Sequence, residues 1–329
     1  MQATIESEIA TSGMSVEVVP MAPWPALAPM GRSLAEPPKG VSRLYYFDSA
    51  PGDRVRRAIV LIHGLGDEGD SFRHLFPPLS ADFRLIAPDL PGFGRSGARG
   101  RTSFRLCVES VAAILEAEGI EGAIVLGSSL GASIAQLLAS RLPGAVAALV
   151  LEDGGSPAPN KAATSLLSMA LPFFGKRRYE GFRKDRAAAV RSLSPYYADW
   201  ETLPEADRNF LARRVADRVD SAAQGRAYLS LLRSAMMTLG FSGGAFARQL
   251  DSWNRPLSVI WGAEDRVVSR ESGRIVAARV EGATFALVEG AGHLPHQERP
   301  AAVADILRAS ARALERTRAP APGHAKAGN

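Results

Sequence analysis

The residues of this chain best placed to do chemistry are a serine, a histidine and an aspartate lying far apart in sequence. The serine is Ser129, within Gly127-Ser128-Ser129-Leu130-Gly131, a G-x-S-x-G pattern. It follows the apolar run Ala123–Leu126 and opens a helix-forming stretch, so the segment reads as strand, sharp turn, helix. A Cβ at either glycine would strike the neighbouring strand or helix. The turn therefore needs small residues, and it holds the serine hydroxyl out at the strand's carboxyl end. The helix behind it aims backbone N–H groups at any negative charge that forms there. A glycine-rich turn that carries a serine by chance has the same pattern, so the remaining residues must decide.

A serine hydroxyl is a weak nucleophile at neutral pH and needs a base to take its proton. The histidines are His63, His74, His293, His296 and His324. His324 lies in the C-terminal tail, and His74 falls on an expected helix face, exposed. His293 follows the strand-like Phe285–Val288 in the loop Glu289-Gly290-Ala291-Gly292-His293-Leu294-Pro295, a flexible approach that can bring an imidazole to the serine. It is preferred over His296, which follows Pro295 at the edge of the last helix. A base histidine in turn needs a carboxylate to hold its tautomer and stabilise the imidazolium. Asp265, at the carboxyl end of the run Leu257–Trp261, ranks first. Asp153, just past the run Ala147–Leu151, is the alternative acid; Glu264 is adjacent to Asp265 but points differently.

These residues need a scaffold that brings strand ends together. Ala58–Ile62 is a continuous β-branched and apolar run, suited to a strand buried on both faces of a parallel sheet. A helix-like stretch around Ser71–Ser80 and the strand Phe83–Ala87 follow. Ser103 is placed to cap a helix running to Glu116, with Gly119 near its end. Val41–Phe47 alternates as a further strand. Strands alternating with helices predict an α/β class fold, a mostly parallel sheet flanked by helices, with chemistry at the strands' carboxyl ends. The rhythm stops over 156–250, where only helical patterns occur (Gly181–Ser192, Pro204–Val219, Gln224–Met237), too long a stretch for a loop. The expected organisation is an N-terminal extension over 1–40, in which Met14–Val19 could add a strand. A core over 41–155 and 251–316 follows, with a helical cap over 156–250 inserted after the sixth core strand and a disordered tail over 317–329.

The composition is that of an ordinary soluble protein, 46% hydrophobic and 22% charged, and no apolar run approaches the ~20 residues of a membrane span. Stable membrane insertion is therefore not expected. The net charge of +5 is mild and partly gathered in the tail, without a nucleic-acid-binding motif, so no nucleic-acid partner is expected. The single cysteine, Cys107, reads as a small core residue rather than a nucleophile. Glu6, Glu8 and Glu17 stand where a secretion signal would carry basic residues, and the expected location is cytoplasmic.

Taken in order, His63-Gly64-Leu65-Gly66, the segment Asp89–Ser96, Gly127–Gly131, Gly262-x-x-Asp265 and Gly292-His293 give the chain a resemblance to the α/β-hydrolase fold family, in its capped esterase and lipase-like form. Ser129, Asp265 and His293 follow that family's serine–acid–histidine order. The resemblance implies an oxyanion hole made by the backbone N–H groups of Leu65 and Leu130, donors of a kind typically worth ~10²–10³ in rate each. Many relatives carry histidine where Ser128 stands, which alters hydrogen bonding under the turn. His63 is then a structural member of its loop. Asp67, Glu68 and Asp70 with His63 and His74 lack zinc-like spacing and read as a solvated loop, so no metal is expected, and no cofactor either. Two apolar stretches of the cap, Leu166–Phe174 and Ala235–Phe241, could line a pocket, while each of their residues taken singly reads as packing the cap onto the sheet, and the basic run from Lys176 to Arg186 reads as a solvated helix face. The expected activity is hydrolysis of small to medium acyl or aromatic carboxylic esters through an acyl-enzyme, the substrate being a small-molecule ester. C–C bond hydrolysis, perhydrolysis or acyl transfer on the same fold are the enzymatic alternatives. A small-molecule-binding protein on a hydrolase scaffold is the non-enzymatic one.

Overall fold

A computed structural model describes residues 22–155, 169–241 and 243–318. Its frame is an eight-stranded sheet in the spatial order β1-β3-β5-β4-β7-β8-β9-β10. The strands are β1 (Gly31–Ser33), β3 (Tyr45–Asp48), β4 (Ala58–Ile62), β5 (Arg84–Pro88), β7 (Ala123–Ser128), β8 (Val146–Glu152), β9 (Leu257–Gly262) and β10 (Thr284–Val288). The pairings β1–β3 and β3–β5 are antiparallel and the rest parallel. The mostly parallel α/β sheet expected from the sequence is what the chain forms.

The continuous apolar strands follow from cover on both faces. In β4, Val60 and Ile62 enter one core with Cys107 and Val111 of the helix Phe104–Ala117, while Ile59 and Leu61 enter the other with Phe76, Val303 and Leu307. Each such aliphatic side chain is worth roughly 1.5–3 kcal/mol when fully buried. Ser103 caps that helix by accepting the Leu106 N–H at 3.1 Å, and Cys107 is fully buried within it.

Four details depart from the sequence reading. The sheet begins earlier than residue 41, because β1 lies inside the segment set aside as an extension. Val41–Phe47 is not one strand: Val41–Arg43 (β2) pairs with Gly97–Ala98 (β6) in a separate two-stranded sheet. The helix expected over Ser71–Ser80 is a 3-10 turn, Gly69–Phe72, followed by a single turn, Phe76–Leu79. Pro77 and Pro78 supply no N–H and start that turn instead of continuing a helix. A further helix, Gly243–Asp251, was not anticipated. The strand expected at Met14–Val19, residues 166–168 of the first apolar stretch, His324 and residues 319–329 of the tail lie outside the described residues.

The helical segment follows β8, the sixth strand of the main sheet in chain order. Its helices include Pro172–Lys184, Arg186–Arg191, Glu205–Asp220 and Ala222–Phe241. Tyr179, Val215, Val219, Leu229 and Leu232 give it a core of its own. Buried ion pairs pin it to the sheet's loops. Arg73 donates from Nε to Asp207 at 2.7 Å, and Arg214 donates to Asp70 at 2.9 Å.

Candidate active site

Ser129 stands between β7 and the helix Leu130–Arg141 with φ +54° and ψ −118°, a left-handed conformation uncommon for a residue with a side chain. The neighbouring glycines make that turn fit. A Cβ on Gly127 would lie 2.2 Å from the Gly131 carbonyl oxygen, and one on Gly131 would lie 2.1 Å from that of Ile62. Both obstacles are backbone, which cannot step aside. The Ser129 N–H is held by the Glu152 carbonyl at 2.8 Å, so strand β8 fixes the turn from one side.

The loop after β10 brings His293 over this turn. Its backbone N–H donates to the Tyr196 carbonyl at 2.7 Å, a contact from the helical segment that orients the loop. Nε2 of the ring lies 3.0 Å from Ser129 Oγ, and Nδ1 lies 2.9 Å from Asp265 Oδ2. A carboxylate can only accept, so Nδ1 carries the proton toward Asp265 and Nε2 is left to accept from the serine hydroxyl. The Asp265 carboxylate also accepts the N–H groups of Val267 at 2.7 Å and Val268 at 3.0 Å, which fix its plane. Burial alone would raise the Asp265 pKa, but the hydrogen bond and charge of His293 outweigh it and hold the group below the ordinary carboxylate value.

Asp153, the alternative acid, sits behind this line rather than in it. It is fully buried, with φ +47°, and its Oδ1 accepts the Gly262 N–H at 3.0 Å. Burial, then the charges of Asp265 and Glu152, push its pKa well above the ordinary value, opposite in direction to Asp265. Asp153, Asp265 and His293 could each offer one ligand atom within 4.8 Å of the others, but these are the groups already joined as acid and imidazole. Glu264, the third candidate, points away and accepts the Gly290 N–H at 3.3 Å.

Leu130 is the first residue of its helix, where an amide has no intrahelical acceptor, and Leu65 lies in the loop leaving β4 beside Gly64. Leu65, Ser129 and His293 line a common cavity of about 370 Å³. Its apolar wall draws little on the two apolar stretches of the cap. Of the two stretches singled out, Met169 lines it, whereas Leu171, Phe173, Phe174 and Met237 are exposed. Tyr179, Phe182, Tyr196, Phe210, Leu211 and Tyr228 take their place. Which face of a helix turns inward depends on how the helices pack, and a run of consecutive apolar residues does not encode it.

The acidic loop is also unlike its expected solvated form. Glu68 and Asp70 are buried and neutralised by arginines: Arg214 contacts both, and Arg95 contacts Asp70. Burial pushes Glu68 up to about 8 while Arg214 pulls it down. His63 is buried, accepting the Leu90 N–H at Nε2 from 2.9 Å, so it braces the loop. His74 is half-buried and bonded to Asp207 at 2.8 Å rather than free. His296, set aside as a base, is paired with Glu152, which the sequence reasoning did not single out; both are fully buried beside the site. Nor did it single out Tyr196, which carries no motif signal.

A family model for the alpha/beta hydrolase fold matches residues 57–300. The chain belongs to that family. A pimeloyl-[acyl-carrier protein] methyl ester esterase of Edwardsiella ictaluri is 31% identical over 264 residues, 79% of this chain and 94% of the relative. A 2-hydroxy-6-oxononadienedioate/2-hydroxy-6-oxononatrienedioate hydrolase of Paraburkholderia phymatum is 25% identical over 259 residues, 76% of this chain and 84% of the relative. Among solved structures, a 2-hydroxy-6-oxo-6-phenylhexa-2,4-dienoate hydrolase from a Rhodococcus species superposes with a TM-score of 0.71 at 21% identity, over 86% of this chain and 99% of that one. The shared property is a hydrolase fold whose members include esterases and C–C bond hydrolases. Among the described residues, no helix is long and apolar enough to cross a membrane.

Proposed function

We propose that this alpha/beta hydrolase is a serine esterase acting on small to medium carboxylic esters. The observation that carries the reading is the hydrogen-bonded line Ser129 Oγ, His293, Asp265, with spacings of 3.0 and 2.9 Å, at the wall of a cavity. Ser129 attacks the ester carbonyl as its proton passes to His293 Nε2, and Asp265 stabilises the imidazolium. The N–H groups of Leu65 and Leu130 hold the oxyanion. Collapse of the tetrahedral intermediate expels the alcohol, protonated by His293, and leaves an acyl-Ser129. A water that gives its proton to His293 then releases the acid.

Ser129→Ala should abolish turnover of p-nitrophenyl esters in a folded protein, and a fluorophosphonate should label wild-type Ser129. Unchanged turnover in the variant would assign the nucleophile elsewhere. C–C bond hydrolysis is the second reading, supported by the Paraburkholderia phymatum relative. Leu294, the residue after His293, lines the cavity. Turnover of a 2-hydroxy-6-oxo-dienoate without turnover of any ester would favour that second reading.

A further inference from the structure

The chemistry above leaves four residues unused that form an unbroken hydrogen-bonded line beside it, three of them buried. His296 Nδ1 lies 2.5 Å from Glu152 Oε2, and the His296 backbone N–H donates to Glu152 Oε1 at 3.0 Å. Across the ring, Nε2 lies 2.8 Å from Ser71 Oγ, which lies 2.6 Å from Asp67 Oδ2. Gln297 Nε2 donates to the same Ser71 oxygen at 2.7 Å, and Tyr197 of the helical segment donates to Gln297 Oε1 at 2.9 Å. The Phe72 ring covers the imidazole, centroid to centroid 4.5 Å. Glu152, Ser71 and His296 are all buried.

Serine, imidazole and carboxylate in a row look like a second catalytic set, but the bonding argues otherwise. The Ser71 oxygen has three polar neighbours within 2.8 Å, which use its one hydrogen and both lone pairs and leave nothing for attack. We propose instead that Asp67, Ser71, His296 and Glu152 are positioning residues: a clamp that sets the oxyanion loop against the nucleophile. The proposal rests on the hydrolase reading of Ser129 and deepens it.

What the clamp joins gives it that role. Glu152 holds the Ser129 N–H through its backbone carbonyl and His296 through its side chain. Asp67 closes the loop that carries Leu65. Its N–H reaches the Gly64 carbonyl at 3.4 Å and its carboxylate takes the Glu68 N–H at 2.9 Å. His296 lies three residues past His293, so the histidine loop is tied in as well. The nucleophile turn, the oxyanion loop and the histidine loop come from distant parts of the chain, and this line is bonded to all three.

The hydrogens also have to be counted. Three links, Glu152 to His296, His296 to Ser71 and Ser71 to Asp67, need one hydrogen each. A neutral imidazole and a hydroxyl supply two. All three links are made only when the line holds one further hydrogen. Asp67→Asn would supply that hydrogen permanently from its amide and keep the line intact, whereas Asp67→Ala would break it.

Fluorophosphonate labelling of Ser129 tests this, because it needs the hydroxyl, the imidazole and the oxyanion donors but no ester turnover. In Ser71→Ala the labelling rate constant and kcat should both fall about 10- to 100-fold with KM nearly unchanged, the size expected for a misplaced oxyanion donor. Asp67→Ala should match it, and serves in its place if Ser71→Ala fails to fold. Asp67→Asn should stay within about threefold of wild type, since its line keeps all three hydrogens. Wild-type labelling rates in both Ser71→Ala and Asp67→Ala overturn the clamp, as does an Asp67→Asn variant no better than Asp67→Ala. A wild-type protein that labels at Ser129 but hydrolyses no ester counts against the esterase reading and leaves the clamp testable by the same rates. Failure of the wild type to label would overturn both.

Discussion

Two aspartates flank His293, and the proposed mechanism gives them opposite duties that a pair of amide substitutions can separate. Asp265 faces the ring nitrogen at 2.9 Å and is held charged, whereas Asp153 is pushed toward its neutral form. When His293 becomes an imidazolium, a full charge at that spacing in a medium of effective dielectric ~20 is worth about 6 kcal/mol. At ~1.4 kcal/mol per factor of ten, losing it costs on the order of 10⁴ in kcat. The amide of Asp265→Asn would also hold the wrong tautomer of His293. Asp153→Asn removes no charge if that carboxyl is already protonated, and it keeps an acceptor for the Gly262 N–H. Its kcat should stay within about tenfold of wild type, an upper bound for a change that leaves the charged partner in place. The assay is kcat and KM on a p-nitrophenyl ester for both variants, with circular dichroism to establish folding. A loss in Asp153→Asn as large as that in Asp265→Asn, or an Asp265→Asn variant of near wild-type rate, would refute the assignment.

The same protonation has a consequence for stability, with its sign set by linkage. Asp153 binds its proton more tightly folded than unfolded, so wild-type stability should fall as pH rises from about 4 toward the raised folded value, with a limiting slope of ~1.4 kcal/mol per pH unit. Asp153→Asn lacks this group, so urea titrations between pH 4 and 7 should show the variant gaining on wild type as pH increases; parallel curves would count against a neutral Asp153. The ion pair that anchors the helical segment makes a second prediction. Asp207→Ala strands the buried Arg73 guanidinium, and the loss should be about 3–5 kcal/mol. It should show as a lowered urea midpoint and faster hydrogen exchange in the helix Glu205–Asp220. A change below ~1 kcal/mol would mean that this pair does not hold the segment down.

Much of the core could be read directly because its signals are local. Continuous apolar runs mark β4, β7 and β9, since each is buried on both faces. The turn at Ser129 shows itself through Gly127 and Gly131, whose missing Cβ atoms are required by backbone only ~2 Å away. The helix Glu205–Asp220 was placed to within a residue by its periodicity. What could not be read is relational. Phe173 and Phe174 look like pocket residues in a string of letters, yet they face out, because the packing of helices chooses the buried stripe. Asp67, Glu68 and Asp70 look like a wet acidic loop, yet Arg95 and Arg214 arrive from distant segments to neutralise two of the three.

The chain's order of residues settled the kind of fold and the candidate hydroxyl, imidazole and acid, because periodicity and glycine-bounded turns are properties of neighbours along the backbone. It ranked Asp265 ahead of Asp153 but could not say what the second acid does. Charge state depends on burial and on the carboxylate next door, and that neighbour lies 112 residues along the chain. Nor could it reveal that His296, three residues from His293, faces Glu152 and Ser71 instead of the nucleophile. The direction of a side chain is set by the packing around it, and in this protein that packing comes from strands, loops and helices far apart in the chain.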